Sequence, residues 1–154
     1  MTFIDDKLLE RVSTQARLSA RLRMNHNFHH SPEDAVQKML NAIEPGSYLR
    51  PHRHPEQDEI FFVVRGKCRF MEYDNHGNIV SERILSSSGS CVGVAISSNT
   101  WHSLDSLESG TVIFEVKRGP YVPLTEENFA PWSPPIKTPS PNEPGKNILR
   151  CDLG

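Results

Sequence analysis

Two histidines and a glutamate lie close together in the chain, at spacings that suit one metal ion. Gly46 is followed by five residues, then His52, one residue, His54, four residues, Glu59, six residues and Gly66. Residues two apart on a strand point to the same face, so His52 and His54 can reach one metal from one strand. The residues between His54 and Glu59 begin with proline and are polar, which predicts a turn into a second strand.

A glutamate and a distant histidine complete the predicted ligand set. Glu59 heads an alternating apolar run, and a carboxylate that faces a protein interior is costly unless it is paired or bound to a metal. His102 stands where a polar loop runs into a short apolar stretch. Nitrogen and oxygen ligands of this kind suit Fe(II), Mn(II), Zn(II), Ni(II) or Cu(II), among which geometry would decide. We therefore predict one divalent transition metal ion, bound by His52, His54, Glu59 and His102.

This spacing resembles the first motif of the cupin superfamily at every marked position. The second cupin motif is degraded here, although His102 fits its histidine. Ser97 and Asn99 stand where proline and glycine are expected, and Ser106 replaces an asparagine. Asn99 can adopt the left-handed backbone that glycine would, so the loop can keep its shape.

Longer stretches of the chain resemble the WbuC-type cupins and together cover most of residues 8–133. They are residues 21–25, 40–46, 50–54, 115–121 and 129–132. The resemblance implies an all-β fold, the cupin double-stranded β-helix or jelly-roll barrel. It also implies a small bacterial metalloprotein of O-antigen and surface-polysaccharide gene clusters, with a sugar or sugar nucleotide as ligand. Cupins often dimerise, so a homodimer is expected.

Size, charge and cysteines narrow the class of protein. A chain of 154 residues is long enough for one domain with a sizeable core. The net charge of -2 argues against a nucleic-acid binder. The longest apolar run, residues 60–64, is far too short to span a membrane, and the N-terminus does not resemble a signal peptide. Three widely spaced cysteines suggest no disulfide framework and favour the cytoplasm.

The pattern along the chain predicts one helix followed by short strands. Ile4, Leu8, Val12 and Ala16 recur at helical spacing, and Ser31 followed by Pro32 reads as the start of a second, short helix. Strands are predicted at residues 59–64, 68–73, 78–85, 91–96, 101–104 and 111–117, with a hairpin loop at 74–77. Residues 38–43 could continue the second helix or form a strand, and the cupin resemblance favours the strand.

The C-terminal part of the chain is rich in proline. Six of the twelve prolines lie between residues 131 and 144, which excludes a central strand there. We predict a single cupin domain at residues 1–130, including the N-terminal helical segment, and a proline-rich arm at 131–154. The arm is expected either to pack on the barrel or a partner subunit, or to be disordered.

Several cationic and aromatic side chains are candidates for binding the substrate. Arg50 and Tyr48 are in phase with the two histidines of the motif, and arginine suits carboxylate or phosphate groups. The alternative for arginine is a salt-bridged surface position. The remaining candidates are Arg21 and Arg23, which share a face if their segment is extended, Lys117 on a late strand, and Tyr121 after a Gly-Pro turn.

Two functions remain open from the sequence. In the first, the metal acts as a Lewis acid or activates water or O₂, which fits an isomerase, an epimerase or a dioxygenase. In the second, the protein binds a saccharide or regulates an assembly enzyme without catalysis. A metal that opens onto a polar, arginine-bearing cavity supports the first, whereas a closed site supports a structural role for the metal.

Overall fold

The computed structural model describes residues 1–135, which form one helix, eight strands and one 3-10 turn. The elements are α1 Asp6–Leu18, β1 Arg23–Asn27, β2 Val36–Ile43, β3 Glu59–Arg65, β4 Lys67–Tyr73, β5 Ile79–Ser86, β6 Gly93–Ile96, β7 Trp101–Ser106, β8 Thr111–Arg118 and the 3-10 turn Glu126–Asn128. The predicted all-β class with a short N-terminal helix is confirmed.

The strands form two antiparallel sheets that face each other. One sheet has the order β1-β2-β8-β3-β6 and the other the order β5-β4-β7. The main core lies between them, because its buried side chains alternate inward from both sheets. Its members are Ile43, Phe61, Val63, Cys68, Phe70, Leu85, Ile96, Leu104 and Ile113. Two antiparallel sheets around one core match the predicted jelly roll.

Helix α1 covers the outer face of the larger sheet. The carboxylate of Asp5 accepts a hydrogen bond from the Leu8 backbone N–H at 2.9 Å and caps the first turn. The predicted apolar stripe is buried from Leu8 onward, whereas Ile4 precedes the helix and is exposed. Within residues 1–135, no helix combines the length and the apolar character needed to cross a membrane.

Local structure departs from the sequence prediction at two places. The predicted second helix is wrong: Ser31 to Asp34 form a turn, in which the Asp34 carboxylate accepts from the His30 N–H, and β2 follows directly. Strand β1 is the other difference, since no strand was predicted at residues 23–27. Its residues are mostly polar and include no β-branched side chain, so its pairing with β2 determines its structure.

Candidate metal centre

The three predicted histidine ligands meet at one point between the sheets. The nitrogen atoms that His52, His54 and His102 can offer lie within 4.8 Å of one another. The ring centroids of His52 and His102 are 4.5 Å apart, and the rings of His52 and His54 are edge to face at 5.2 Å. His54 and His102 are buried, and His52 is half-buried. Such a cluster can hold a metal ion, as predicted.

Backbone pairing brings the two parts of the sequence together. The N–H of His52 donates to the carbonyl of His102, and the N–H of His102 donates back, both at 3.0 Å. The first histidine segment therefore runs antiparallel beside the start of β7, but it forms only isolated bridges and not the regular strand that was predicted. The carbonyl of His54 accepts from the N–H of Asn99 at 2.7 Å, and Asn99 has a φ of 64°. The left-handed conformation predicted for Asn99 is thus confirmed.

Backbone carbonyls orient two of the imidazoles. Nδ1 of His52 lies 3.0 Å from the carbonyl oxygen of Arg50, and Nδ1 of His102 lies 2.8 Å from that of Thr100. A carbonyl can only accept, so Nδ1 carries the proton and donates it in both rings. The lone pair is then on Nε2, the tautomer that binds a metal while its other nitrogen is hydrogen-bonded.

Glu59 lies beside the histidines at the start of β3. One carboxylate oxygen is 2.8 Å from Nε2 of His102, and the other is 3.8 Å from Nε2 of His54. The 2.8 Å contact pairs the carboxylate with the imidazole when Nε2 of His102 carries a proton, and a metal ion bound by both side chains would replace that proton. These distances place Glu59 beside the donor atoms of two histidines, as a shared metal ion requires.

The protonation states of His52, His54 and Glu59 suit metal binding, whereas His102 would have to release a proton: burial lowers the pKa of His102, but the Glu59 carboxylate outweighs this effect and the net shift is upward. Burial lowers the pKa of His52 well below its ordinary value, and the neighbouring histidines lower it further. Burial, assisted by the charge of Lys117, lowers the pKa of His54 to about 4. Burial raises the pKa of Glu59, but contact with His102 and the nearby cations outweigh it, so the net shift is downward. Neutral imidazoles and an ionised carboxylate are the forms that coordinate a metal. These side chains are therefore suitable ligands for the predicted metal ion. The role of Glu59 as a fourth ligand remains a prediction.

A cavity of about 1320 Å³ opens onto this cluster. All four predicted ligands line it. So do Glu115 and Lys117, which both point inward from β8, with a carboxylate oxygen 3.6 Å from the ammonium nitrogen. Lys117 is only 4% exposed. A metal held here would face polar side chains across open space and would not be enclosed by its ligands.

Sequence reasoning missed Asn41 in the cavity wall and left open whether Glu115 faces the barrel or solvent. Asn41 on β2 donates through Nδ2 to the Glu115 carboxylate, while its Oδ1 is buried without a hydrogen-bond partner. Glu115 and Lys117 are two residues apart on β8, so their side chains lie on the same face. The polar character of Asn41 and Glu115 in otherwise apolar strands was the available signal.

Five of the six predicted substrate-binding residues line the cavity; Arg50 is described below, and the other four are considered first. They are Arg21, Arg23, Lys117 and Tyr121. Arg21 lies in the turn after α1, not in an extended segment, whereas Arg23 begins β1. The cavity therefore carries cationic side chains both near the metal cluster and along its distant wall.

Arg50 and Tyr48 have other contacts. The Arg50 guanidinium borders the cavity but binds the C-terminal segment, through Glu126 at 2.9 Å and Ser133 at 3.0 Å, and lies over the ring of Phe129. Tyr48 is 42% exposed and donates to the carbonyl of Pro134. These contacts hold the C-terminal segment against the barrel, and ligand contacts from Arg50 and Tyr48 remain predictions.

The chain around residues 126–133 covers the first histidine segment. Arg53 donates through its backbone N–H to the carbonyl of Asn128, and Ala130 donates to the carbonyl of Pro51. Phe129 pairs with His52. The segment therefore holds the two motif histidines in place, and residues 131–135 of the predicted arm continue this packing. Residues 136–154 of that arm lie outside the described residues.

Comparisons with solved structures identify the fold. KdgF from Halomonas sp. matches at 19% identity over 62% of this chain and 79% of its own, with a TM-score of 0.51. A cupin superfamily protein from Desulfitobacterium hafniense matches at 11% identity over 62% and 76%, with a TM-score of 0.50. The capsular polysaccharide assembling protein CapF from Staphylococcus aureus matches at 20% identity over 69% of this chain but 28% of its own, with a TM-score of 0.51. These likenesses show the cupin fold.

Sequence comparison gives the family. No curated protein sequence matches the chain. One family model, described as a domain of unknown function (DUF6016), matches residues 4–85, which include α1, the first histidine segment and Glu59. That match spans more than half of the 154 residues, and the chain therefore belongs to the DUF6016 family.

Proposed function

We propose that this protein is a WbuC-type, metal-dependent enzyme that acts on a sugar or sugar nucleotide in the assembly of bacterial surface polysaccharide such as O-antigen. One observation carries the proposal: the donor atoms of three histidines and Glu59 line a large cavity whose walls also carry Lys117 and Arg23. A metal with only a structural role is normally closed off by its ligands. Here the donors face the space in which a ligand would bind.

A divalent ion bound to these residues would polarise an oxygen atom of the ligand or activate a water molecule or O₂. The residues of the chain do the rest. Arg23 and Lys117 supply positive charge for a carboxylate or phosphate. Glu115 and Lys117 place an acid and a base 3.6 Å apart next to the metal donors. That pairing favours proton transfer, as in an isomerase or epimerase, over a dioxygenase reaction.

The biological setting rests on resemblance and on one neighbour. CapF is named as a capsular polysaccharide assembling protein, and it shares only the fold with this chain. The proposal includes the cytoplasmic location and the homodimer expected from the sequence. It also includes the metal as Fe, Mn, Zn or Ni.

Metal analysis tests the foundation of this proposal. Protein purified without added metal should contain about one transition metal ion per chain. His52→Ala and His54→Ala should both lose that metal, because each removes one of the clustered donors. His76→Ala is the matched control, since His76 is exposed in the β4–β5 turn. Equal metal content in all four proteins would refute the site.

Proton exchange tests catalysis. The metal-loaded protein is screened against sugar nucleotides for thermal stabilisation, and each stabilising compound is incubated in D₂O. An isomerase or epimerase should place deuterium at a sugar carbon, which NMR detects, and His52→Ala should not. Stabilisation without exchange or turnover would favour the non-catalytic saccharide-binding alternative.

A further inference from the structure

The polar face of β1 is unusual for an edge strand that borders a core. Arg23, Asn25 and Asn27 line the cavity, whereas the alternate residues Met24 and Phe28 pack with the helix cluster on the outer face. Inward positions of a sandwich strand are normally apolar. Asn25 and Asn27 are exposed to the open cavity. We refer to Arg23, Asn25 and Asn27 as the β1 strip.

The chemistry of the β1 strip suits hydroxyl groups and an anion. Each asparagine amide offers two donors and an acceptor, as sugar hydroxyls require. Arg23 donates to the carbonyl of Tyr48 at 2.8 Å, and no carboxylate of residues 1–135 pairs with it. Its burial without a counterion lowers the pKa of Arg23 to about 10. A ligand anion would supply the missing partner.

Asn41 extends this polar surface toward the metal cluster. It pairs with Asn25 across β1 and β2, and its buried Oδ1 has no hydrogen-bond partner. A buried carbonyl oxygen without a donor costs about 1–3 kcal/mol. A ligand hydroxyl at this position would remove that cost.

The sheet register separates the β1 strip from the metal donors. Glu59 on β3 pairs with Lys117 on β8, which pairs with Gln37 on β2. The nearest strip residue, Asn27, is one strand further and pairs with Met39. Three strand spacings and a two-residue offset amount to roughly 15 Å along the sheet. One sugar ring is shorter than this, and the cavity of about 1320 Å³ exceeds the 300–1,000 Å³ range typical of small-molecule sites.

We propose that the β1 strip is a second subsite, which binds the distal, anionic and hydroxyl-rich part of an extended ligand whose other end lies at the metal donors. This inference rests on the proposed function and narrows its substrate class. A monosaccharide is too short to use both subsites. A sugar nucleotide or an acidic oligosaccharide is long enough, and both present an anion beyond the first sugar ring.

Calorimetric titration of the metal-containing protein tests this subsite. UDP-glucose and digalacturonic acid are the two extended probes, and glucose and galacturonic acid are their short counterparts. The extended probe of the correct class should bind at least tenfold more tightly than its monosaccharide. Combined Asn25→Ala and Asn27→Ala substitutions should remove at least that factor and leave monosaccharide affinity within twofold, and Arg23→Gln should also weaken binding of the extended probe by at least that factor.

Matched controls and the His52→Ala variant distinguish failure of the subsite from failure of the proposed function. Arg83→Gln and Asn78→Ala alter exposed residues in and next to β5 and should leave both affinities unchanged. Equal affinity of extended and short probes, or an unchanged affinity in the double asparagine variant, would overturn the subsite. His52→Ala tests the proposed function separately. It should abolish monosaccharide binding, but the extended probe should keep weak binding that depends on Arg23.

Discussion

Replacement of Glu115 by glutamine tests whether the carboxyl beside the metal donors is protonated in the folded protein. Burial raises the pKa of Glu115 from 4.5 to about 7, even though Lys117 lies 3.6 Å away and lowers it. The side chain is only 12% exposed, and Asn41 donates to it. Glutamine keeps the size and an oxygen acceptor but is neutral at every pH, so it imitates the protonated acid.

The sign and size of the effect follow from the two pKa values of Glu115. Between pH 4.5 and about 7 the folded protein holds a proton that the unfolded chain has released. The free energy of unfolding therefore falls as the pH rises through this interval and is constant above it. At 1.36 kcal/mol per pH unit, the interval corresponds to about 3 kcal/mol in total. Because part of it lies below pH 5, the change from pH 5 to pH 8 is about 2–3 kcal/mol.

Urea denaturation at pH 5 and pH 8 measures this change. The proteins are treated with a chelator so that metal binding does not contribute. The stability of Glu115→Gln relative to the wild type should increase by about 2–3 kcal/mol between the two pH values. The histidines titrate in both proteins, so their contribution cancels to first order. Glu56→Gln, an exposed control, should show no such increase. Parallel pH profiles for Glu115→Gln and the wild type would refute the assignment.

Two further substitutions test the packing that supports the site. Arg50→Ala should lower the free energy of unfolding by about 2 kcal/mol, because it removes the contacts that hold the C-terminal segment over the histidines. Urea denaturation against the exposed control Arg83→Ala measures it, and a loss below about 0.5 kcal/mol would contradict that role. Gly66→Ala combines a φ of 81° with a Cβ only 2.5 Å from the Thr111 hydroxyl oxygen. The Gly66→Ala substitution should destabilise the protein by at least about 1 kcal/mol more than Gly110→Ala, which has a similar φ but whose Cβ would make only ordinary contacts with Arg65. Equal losses would exclude the predicted clash.

The metal cluster was predictable because strand periodicity fixes the relevant geometry. His52 and His54 share a face by alternation alone, and the proline-initiated turn returns the chain to Glu59. His102 was a candidate because it is a histidine at a predicted strand start, but no local rule relates residues fifty positions apart. The backbone pairing of His52 with His102 is the long-range contact that brings the two segments together, and the sequence did not predict it.

The role of Arg50 could not be read from the sequence. Alternation correctly placed it in phase with the histidines, but its partners Glu126 and Ser133 lie more than seventy residues later. The alternation of side chains along a strand predicts which face a residue lies on, but it does not predict which residues contact it there. The proline-rich composition near residue 131 likewise gave no sign that the adjoining segment pairs with His52.

The inner face of the larger sheet has an apolar end and a charged end. The apolar end is recognised from the strand pattern, and the charged end from the candidate site residues. At one end the inward residues are apolar, such as Val63 and Ile113, and they form a core that any alternating pattern reveals. At the other end the inward residues include Glu59, Glu115 and Lys117, so the same alternation there buries charge. Burying these groups opposes folding unless an ion or ligand compensates for it. A sequence that keeps charged residues in inward register on adjacent strands therefore gives up stability at that end, which is expected where a cavity binds a metal and a polar ligand.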